Sequence, residues 1–458
     1  MKFIYKSIFV IHAIFFGFSF AKEIYPELII DQLNAGNVEF VDFMFSDLLG
    51  NLRSVTIPMV EVSRALKNGI SFDGSSIPGF TSITESDLML VPDLHTLTII
   101  NSNTARIICD IYVDKKHPFN GDPRYVLKKI LQEAHDLGYE FLVGPELEFF
   151  LFELSDAKQL VPSDNGKYFQ AESIIERDIQ NKTLLNILLQ QGINVEKLHH
   201  EVAPGQHEVS IHYGDALAIA DQVLLCKHAI KSFAKLHSYQ ATFMPKPIAD
   251  QNGSGMHIHF SLRDLKSNQN AFYNKTDSKL LSDVAYNFIA GVLYYASDVN
   301  ALFNSSLNSY KRLVPGYEAP IYRCWATKNR SAMIRIPHIE SDQISAARAE
   351  IRSPDGLCNP YLAFAALLKA GLEGIKNNIE IPAATEFNLY HLNTQELIAK
   401  GIDTLPPSLT DSLSFFKSSK LVEDLLGKTM RNEYLKLKEE ELLSSQRNIT
   451  AWELEHYL

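Results

Sequence analysis

Glu146 and Glu148 stand two residues apart inside Gly144–Phe152, which reads G-P-E-L-E-F-F-L-F. An apolar, aromatic run of this length reads as a buried strand. Positions i and i+2 of a strand point to one face, so the two carboxylates project together from an otherwise apolar sheet. Burying an ionised carboxylate is costly unless it is paired or holds a metal. Structural salt bridges would satisfy the pair taken alone. The rest of the chain supplies further acids and histidines but no matching block of lysines, which favours a cation from outside.

The chain has 458 residues, enough for one large domain and a smaller one. Its net charge of −11 argues against a nucleic-acid partner, which calls for a basic face. Cys109, Cys226, Cys324 and Cys358 form no C-x-x-C. They read as reduced thiols in a cytoplasmic protein rather than as a zinc or disulfide framework. The first 21 residues conflict with that. Lys2 and Lys6 precede the apolar run Ile8–Phe20, and Ser19-Phe20-Ala21 offers small residues for cleavage. This resembles a secretory signal peptide; the alternative is a spurious extension from a start placed too far upstream. No other segment is apolar enough to cross a membrane.

The pattern predicts α+β architecture rather than regular βαβ alternation. Helices are expected at Ile24–Leu33 and Val60–Lys67. Strands are expected at Val38–Phe45, Leu52–Ile57, Leu88–Val91, Thr96–Ile100 and Ala105–Val113, and Asp73-Gly74-Ser75-Ser76 reads as a flexible loop. Pro118–Pro123 is the expected boundary, dividing a small domain at 22–120 from a larger one at 121–458. Beyond it, helices are expected at Arg124–Leu137, Ile174–Gln191, Asp215–His237 and Pro360–Asn377. A polar loop is expected at Asp156–Gly166, and a charged helical tail at Asp411–Leu443.

Three further segments carry chemistry. His199–Glu208 places Glu201 and Glu208 on either side of a Pro-Gly turn, so a strand–turn–strand would bring them together; its histidines read as ordinary residues. Asn252–Ser261 has Gly253 and Gly255, which would let backbone approach a ligand closely. His257 and His259 then share one strand face. Carboxylates with an imidazole suit Mg²⁺ or Mn²⁺. Asn308–Pro320 is a loop between prolines, with Lys311, Arg312 and Glu318, that would serve as a lid. Arg330, Arg335 and Arg352 lie near further acids, an arrangement suited to clamping phosphate and carboxylate.

Read together, the segments D-G-S-S-I-P-G-F, E-S-D-L-M-L-V-P-D, G-P-E-L-E-F-F-L-F, H-H-E-V-A-P-G-Q-H-E, A-T-F-M-P-K-P, N-G-S-G-M-H-I-H, N-S-Y-K-R-L-V-P-G-Y-E-A-P, N-R-S-A-M-I-R-I-P and N-P-Y-L-A resemble bacterial type I glutamine synthetase, in that family's order. The alpha subtype is the nearer likeness. The resemblance implies a small N-terminal β-grasp domain and a large catalytic domain, assembled as a homo-dodecamer with active sites between subunits. It implies ligation of ammonium to L-glutamate at the expense of ATP, with two Mg²⁺ or Mn²⁺ ions per site and no membrane partner. Glu148, Glu201 and Glu208 match the ligands of one ion, and Glu146, His257 and Glu350 those of the other. Asp73, Glu318 and Arg330 match catalytic positions. Asn252, Gly253, Arg312, Glu318, Arg330 and Arg352 match glutamate contacts, and His259, Ser261, Arg330 and Arg335 nucleotide contacts. A polyamine-type glutamate–amine ligase and a non-catalytic glutamine sensor are the alternatives the same resemblance leaves open. Ser82 replaces an arginine linked to glutamine feedback, and Ser305 follows Asn304 where the family has proline. Tyr390 aligns with a tyrosine that the longer beta subtype adenylylates, and is expected to be unmodified here.

Overall fold

A computed structural model describes residues 25–153, 160–170 and 175–458. The signal-like segment therefore lies outside the described residues, as does part of the predicted loop at 156–166.

The N-terminal sheet runs in the order Leu52–Pro58, Phe40–Ser46, Thr104–Tyr112, Asp87–Pro92, Ile70–Asp73, with Thr98–Ile99 added against Thr104–Tyr112. Phe40–Ser46 lies parallel to Thr104–Tyr112, and the remaining pairs are antiparallel. Helices Pro26–Ala35 and Met59–Asn68 accompany it, burying Ile29, Leu33, Val62 and Ala65. The first helix begins later than expected because Pro26 takes its first position, where the missing N–H costs nothing. The strand expected at Thr96–Ile100 shrinks to Thr98–Ile99. The Asp93 carboxylate accepts from the His95 amide and winds Leu94–Thr96 into a 3₁₀ turn. Asp73–Ser76 is not the loose loop expected. Asp73 accepts from the Ser75 amide at 2.9 Å, Ser75 Oγ at 2.6 Å and Ser76 Oγ at 2.8 Å, which caps a 3₁₀ turn at Gly74–Ser76.

The second sheet is built on the strand Tyr139–Glu153, which contains the paired glutamates Glu146 and Glu148. Its order is Tyr322–Ala326, Ala332–Arg335, Ala349–Ile351, Met256–Asp264, Tyr139–Glu153, Gln206–Ile211, Val195–His200. Val161–Pro162, Gly214–Asp215 and Tyr239–Thr242 also pair with the central strand. Behind it, Pro123–Asp136 and Ala216–Leu236 cover the apolar face, and Pro360–Lys376 packs against both helices. Pro360–Lys376 is buried nearly all round, as its almost continuous apolar sequence requires. Thr394–Ala399 and Ala451–Tyr457 are short helices with capping boxes that hydrophobic periodicity did not suggest.

Polar contacts join the N-terminal sheet to the second one. Buried Arg124 binds Asp93 and Asp110 of the N-terminal sheet region and Asp221 of the helix Ala216–Leu236. Asn359 caps Pro360–Lys376 and donates to the carbonyls of Asp47 at 3.1 Å and Leu48 at 3.3 Å. All four cysteines are buried and free. Among the described residues no helix is long and apolar enough to cross a membrane.

Candidate active site

Antiparallel register builds the site, because residues opposite one another across such a pair project to the same face. Glu148 lies opposite Glu208, Glu146 opposite His257, and Glu350 opposite both His259 and Arg335. Glu208 in turn lies opposite His199, and Ser210 opposite Lys197. One polar face thus runs across six strands whose other face packs into the core. It floors a cavity of about 280 Å³ walled by Asn252, Gly253, Arg312, Tyr317, Glu318, Arg330 and Arg352.

The acids are crowded. His257 Nδ1 stands 3.6 Å from both Glu146 and Glu350, and its Nε2 stands 3.8 Å from Glu148. His259 Nε2 is 3.5 Å from Glu146. His199 Nε2 is 3.0 Å from Glu208, and its Nδ1 is 3.7 Å from Glu201. Burial, and then the charges of Glu201 and Glu208, push the Glu148 carboxyl well above the usual range. Burial and Glu208 push Glu201 up to about 7. Glu146 goes the other way: burial opposes its charge, but the neighbouring imidazoles of His257 and His259 prevail and hold it well below the usual range. Glu350 is fully buried. Burial is again the opposing force, outweighed by Arg352, His257, His259 and Arg335, which hold it at about 2.

Carboxylates that raise one another's pKa in a buried cavity need positive charge. Ligating atoms of Glu146, Glu208 and His257 converge within 4.8 Å, as do those of Glu146, His259 and Glu350 and of His199, Glu201 and Glu208. This oxygen-rich donor set with imidazole fits Mg²⁺ or Mn²⁺. Lys197 partly meets the demand, its Nζ standing 3.4 Å from Glu146 and 3.6 Å from Glu208.

The glycines also allow close packing within the protein. A Cβ on Gly255 would stand 2.5 Å from Arg312 Nη2, and one on Gly253 would stand 2.4 Å from the Pro245 carbonyl. They make room for Arg312, which is buried and donates to the carbonyls of Ser353 at 2.8 Å and Arg352 at 2.9 Å. The loop beside the cavity carries three consecutive left-handed residues, Gly316, Tyr317 and Glu318, at φ 96°, 49° and 59°. The last two are strained conformations for residues with side chains. Lys246 Nζ lies 3.9 Å over the Tyr317 ring, and the Tyr390 hydroxyl donates to the Ala319 carbonyl at 3.1 Å, holding the strained segment over the cavity.

Residues 120–457 match the family described as "Glutamine synthetase, catalytic domain", and residues 37–114 match "Glutamine synthetase, beta-Grasp domain". The chain belongs to the glutamine synthetase family. It is 42% identical to the glutamine synthetase of Clostridium saccharobutylicum, the match covering 94% of this chain and 98% of that one. The glutamine synthetases of Methanosarcina mazei and Thermotoga maritima are likewise 42% identical, over 94% and 92% of this chain and 97% of each relative. Among solved structures, "GmaS/ADP complex-Conformation 1" superposes with a TM-score of 0.83 at 29% identity, covering 93% of this chain and 97% of that one. "Apo GmaS without ligand" gives 0.83 at 28%, covering 93% and 98%. The protein is thus a ligase of the glutamine synthetase family, a β-grasp domain preceding a large catalytic domain.

Of the residues singled out in the sequence, Glu146, Glu148, Glu201, Glu208, Asn252, Gly253, His257, Arg312, Glu318, Arg330, Arg335, Glu350 and Arg352 line one cavity. His259 sits at its edge, receiving a hydrogen bond from Arg348 Nε at 3.3 Å. Ser261 is buried opposite Leu142 and does not line the cavity. Asp73 is exposed at the end of the N-terminal strand Ile70–Asp73 and is not among the lining residues. Sequence reasoning missed Lys197, His199, Tyr168 and Tyr317. The available signal was parity: positions 197, 199 and 201 lie on one face of a strand once Glu201 is placed.

Proposed function

We propose that the protein joins ammonia to the side-chain carboxylate of L-glutamate, using ATP, and releases glutamine, ADP and phosphate. The observation that carries this reading is the pairing, in one cavity, of a carboxylate–histidine floor with Arg312, Arg330, Arg335 and Arg352 on its walls. A floor of acids recruits divalent cations, and the arginines answer the anionic groups of glutamate and of a nucleotide. One of the solved neighbours is an ADP complex, which supports a nucleotide on this fold.

In this reading Glu148, Glu201 and Glu208 hold one Mg²⁺ or Mn²⁺ and Glu146, His257 and Glu350 the other. Such ions, when bound, neutralise charge that develops on transferring phosphoryl oxygens. Asn252, Gly253, Arg312, Arg330 and Arg352 orient glutamate so that its γ-carboxylate faces the nucleotide, held by His259, Arg330 and Arg335; Ser261, matched to a nucleotide contact by sequence, is buried away from the cavity and does not share that role. Phosphoryl transfer turns a carboxylate oxygen, a poor leaving group, into a good one. Ammonia then attacks γ-glutamyl phosphate. Asp73, supplied by a neighbouring subunit, takes a proton from ammonium. Glu318 covers the site, excludes water that would hydrolyse the acyl phosphate, and accepts a proton from the adduct. We assign the chain to the alpha-like subtype, its two domains to residues 22–120 and 121–458, its assembly to a homo-dodecamer and its location to the cytoplasm, where ATP is supplied.

A coupled ADP-release assay comparing ammonium with methylamine and a polyamine tests the reading. Ammonium is expected to give the highest kcat/KM with Mg²⁺ or Mn²⁺ present and none after chelation. A preference for an amine would assign the chain to the amine-ligase alternative. Binding of glutamine without turnover of any of them would make it a sensor.

A further inference from the structure

A second buried cluster lies behind the cavity floor and takes no part in the chemistry above. Val161–Pro162 pairs back onto Phe152 and Glu153, and the chain then delivers Asp164 between two histidines. Asp164 Oδ1 stands 2.6 Å from His200 Nε2 and accepts from the amides of Gly166 at 2.9 Å and Gly205 at 3.1 Å. Its Oδ2 accepts from Ser163 Oγ at 3.2 Å and faces His207 Nε2 at 3.6 Å. His200 Nδ1 meets the Glu201 carbonyl at 2.6 Å. The His200 ring lies so close to Gly166 that a Cβ there would stand 2.4 Å from Nε2.

What these partners flank gives the cluster its meaning. His200 precedes Glu201, His207 precedes Glu208, and Gly205 lies in the turn between. His200 and His207 are opposite one another in the register, on the face away from the pair His199 and Glu208. The turn itself is closed by Glu201 N–H to the Gln206 carbonyl at 2.7 Å and Gln206 N–H to the Ala203 carbonyl at 3.0 Å. Asp164 therefore holds both strands and the turn of this hairpin from behind, while the front carries two carboxylates that repel each other and Glu148. We infer that Asp164 is a positioning residue that fixes the spacing of Glu201 and Glu208 for a divalent cation, an inference that rests on the reading that those two residues hold one.

The same three side chains could be taken for a metal centre, since their ligating atoms lie within 4.8 Å of one another. The distances speak for a hydrogen-bonded brace. Two ligands on a tetrahedral ion at 2.0–2.1 Å stand roughly 3.3 Å apart, whereas Asp164 Oδ1 and His200 Nε2 are at 2.6 Å. Oδ1 also already serves two backbone amides.

The test uses the full-length assembled protein and Mn²⁺ alone, followed by electron paramagnetic resonance titration, with total metal measured by mass spectrometry. Asp164→Asn is compared with wild type and with Val62→Ala, which opens a cavity beneath the helix Met59–Asn68 and controls for lost stability. Asp164→Asn is expected to weaken Mn²⁺ binding by at least about tenfold, as loss of outer support around a metal site does, while Val62→Ala keeps wild-type affinity. In turnover assays the half-saturating metal concentration should rise while kcat at saturating metal largely returns. Wild-type affinity in Asp164→Asn overturns the brace. Stoichiometric zinc in the wild type, lost in the variant, also overturns it in favour of a resident metal. A wild type that binds no Mn²⁺ fails the underlying reading instead. If Asp164→Asn does not assemble, His207→Gln removes the 3.6 Å arm, together with the ring's packing on Phe149 and His200, and leaves the Asp164–His200 contact in place; a few-fold loss of affinity is expected there, and no loss overturns the brace.

Discussion

Replacing Glu350 with glutamine should have one energetic signature in the metal-free protein and another on metal binding. Glu350 is fully buried and pairs with Arg335 Nε and with Arg352 Nη1 at 3.0 Å. Its carboxyl is held at about 2 against an ordinary 4.5. At about 1.4 kcal/mol per pKa unit, that difference is worth about 3 kcal/mol of stability at neutral pH. The cost of breaking a buried ion pair, about 3–5 kcal/mol, agrees. The pKa is depressed on folding, so the stabilisation is fully present above about 4.5 and is lost as pH falls toward 2. Denaturant unfolding with EDTA present should therefore show Glu350→Gln less stable than wild type by about 3 kcal/mol at pH 7. The gap should narrow steadily between pH 4.5 and the lowest pH at which the wild type stays folded. A gap independent of pH would refute the electrostatic account and point to lost packing alone. On the metal side, the variant should bind Mn²⁺ at least about tenfold more weakly.

Three further outcomes are expected. Glu318→Ala should leave nucleotide affinity nearly unchanged, by calorimetry, while glutamine formation falls by roughly 10²–10⁴-fold, the worth of a placed proton-transfer group; lost nucleotide affinity at unchanged turnover would move Glu318 out of that role. Asp73→Ala and Glu318→Ala should each be nearly inactive, yet rings reassembled from equal amounts should regain about a quarter of the sites, because a heterologous contact pairs one face with the other; mixed rings, verified by native mass spectrometry, that stay inactive would place both residues in one subunit's pocket. Arg124→Met should cost about 3–5 kcal/mol in denaturant unfolding, since it takes the shared guanidinium from Asp93 and Asp221 at a buried site between the two sheets and leaves Asp110 with Lys128 alone; a loss under 1 kcal/mol would show that water replaces the guanidinium.

What the sequence by itself determined follows from local rules. The two-residue period of a strand put Glu146 with Glu148, and His257 with His259, on common faces, and the Pro-Gly turn brought Glu201 toward Glu208. Regularities confined to a few neighbouring residues survive in any context, so these were legible before folding. The tertiary structure decided which of those faces meet. The opposition of Glu146 to His257 and of Glu350 to His259 is a matter of hydrogen-bond register between strands far apart in the chain. No local period encodes that register. Burial then separated similar residues: with the same carboxyl group, Glu201 is pushed to about 7 and Glu350 held at about 2, because one faces other acids and the other faces arginines. For the same reason Gly253 and Gly255 proved to be the space that Arg312 occupies, and Asp164, read as part of a polar loop, proved to brace the hairpin from behind. Their roles depend on atoms that come near only when the sheet closes.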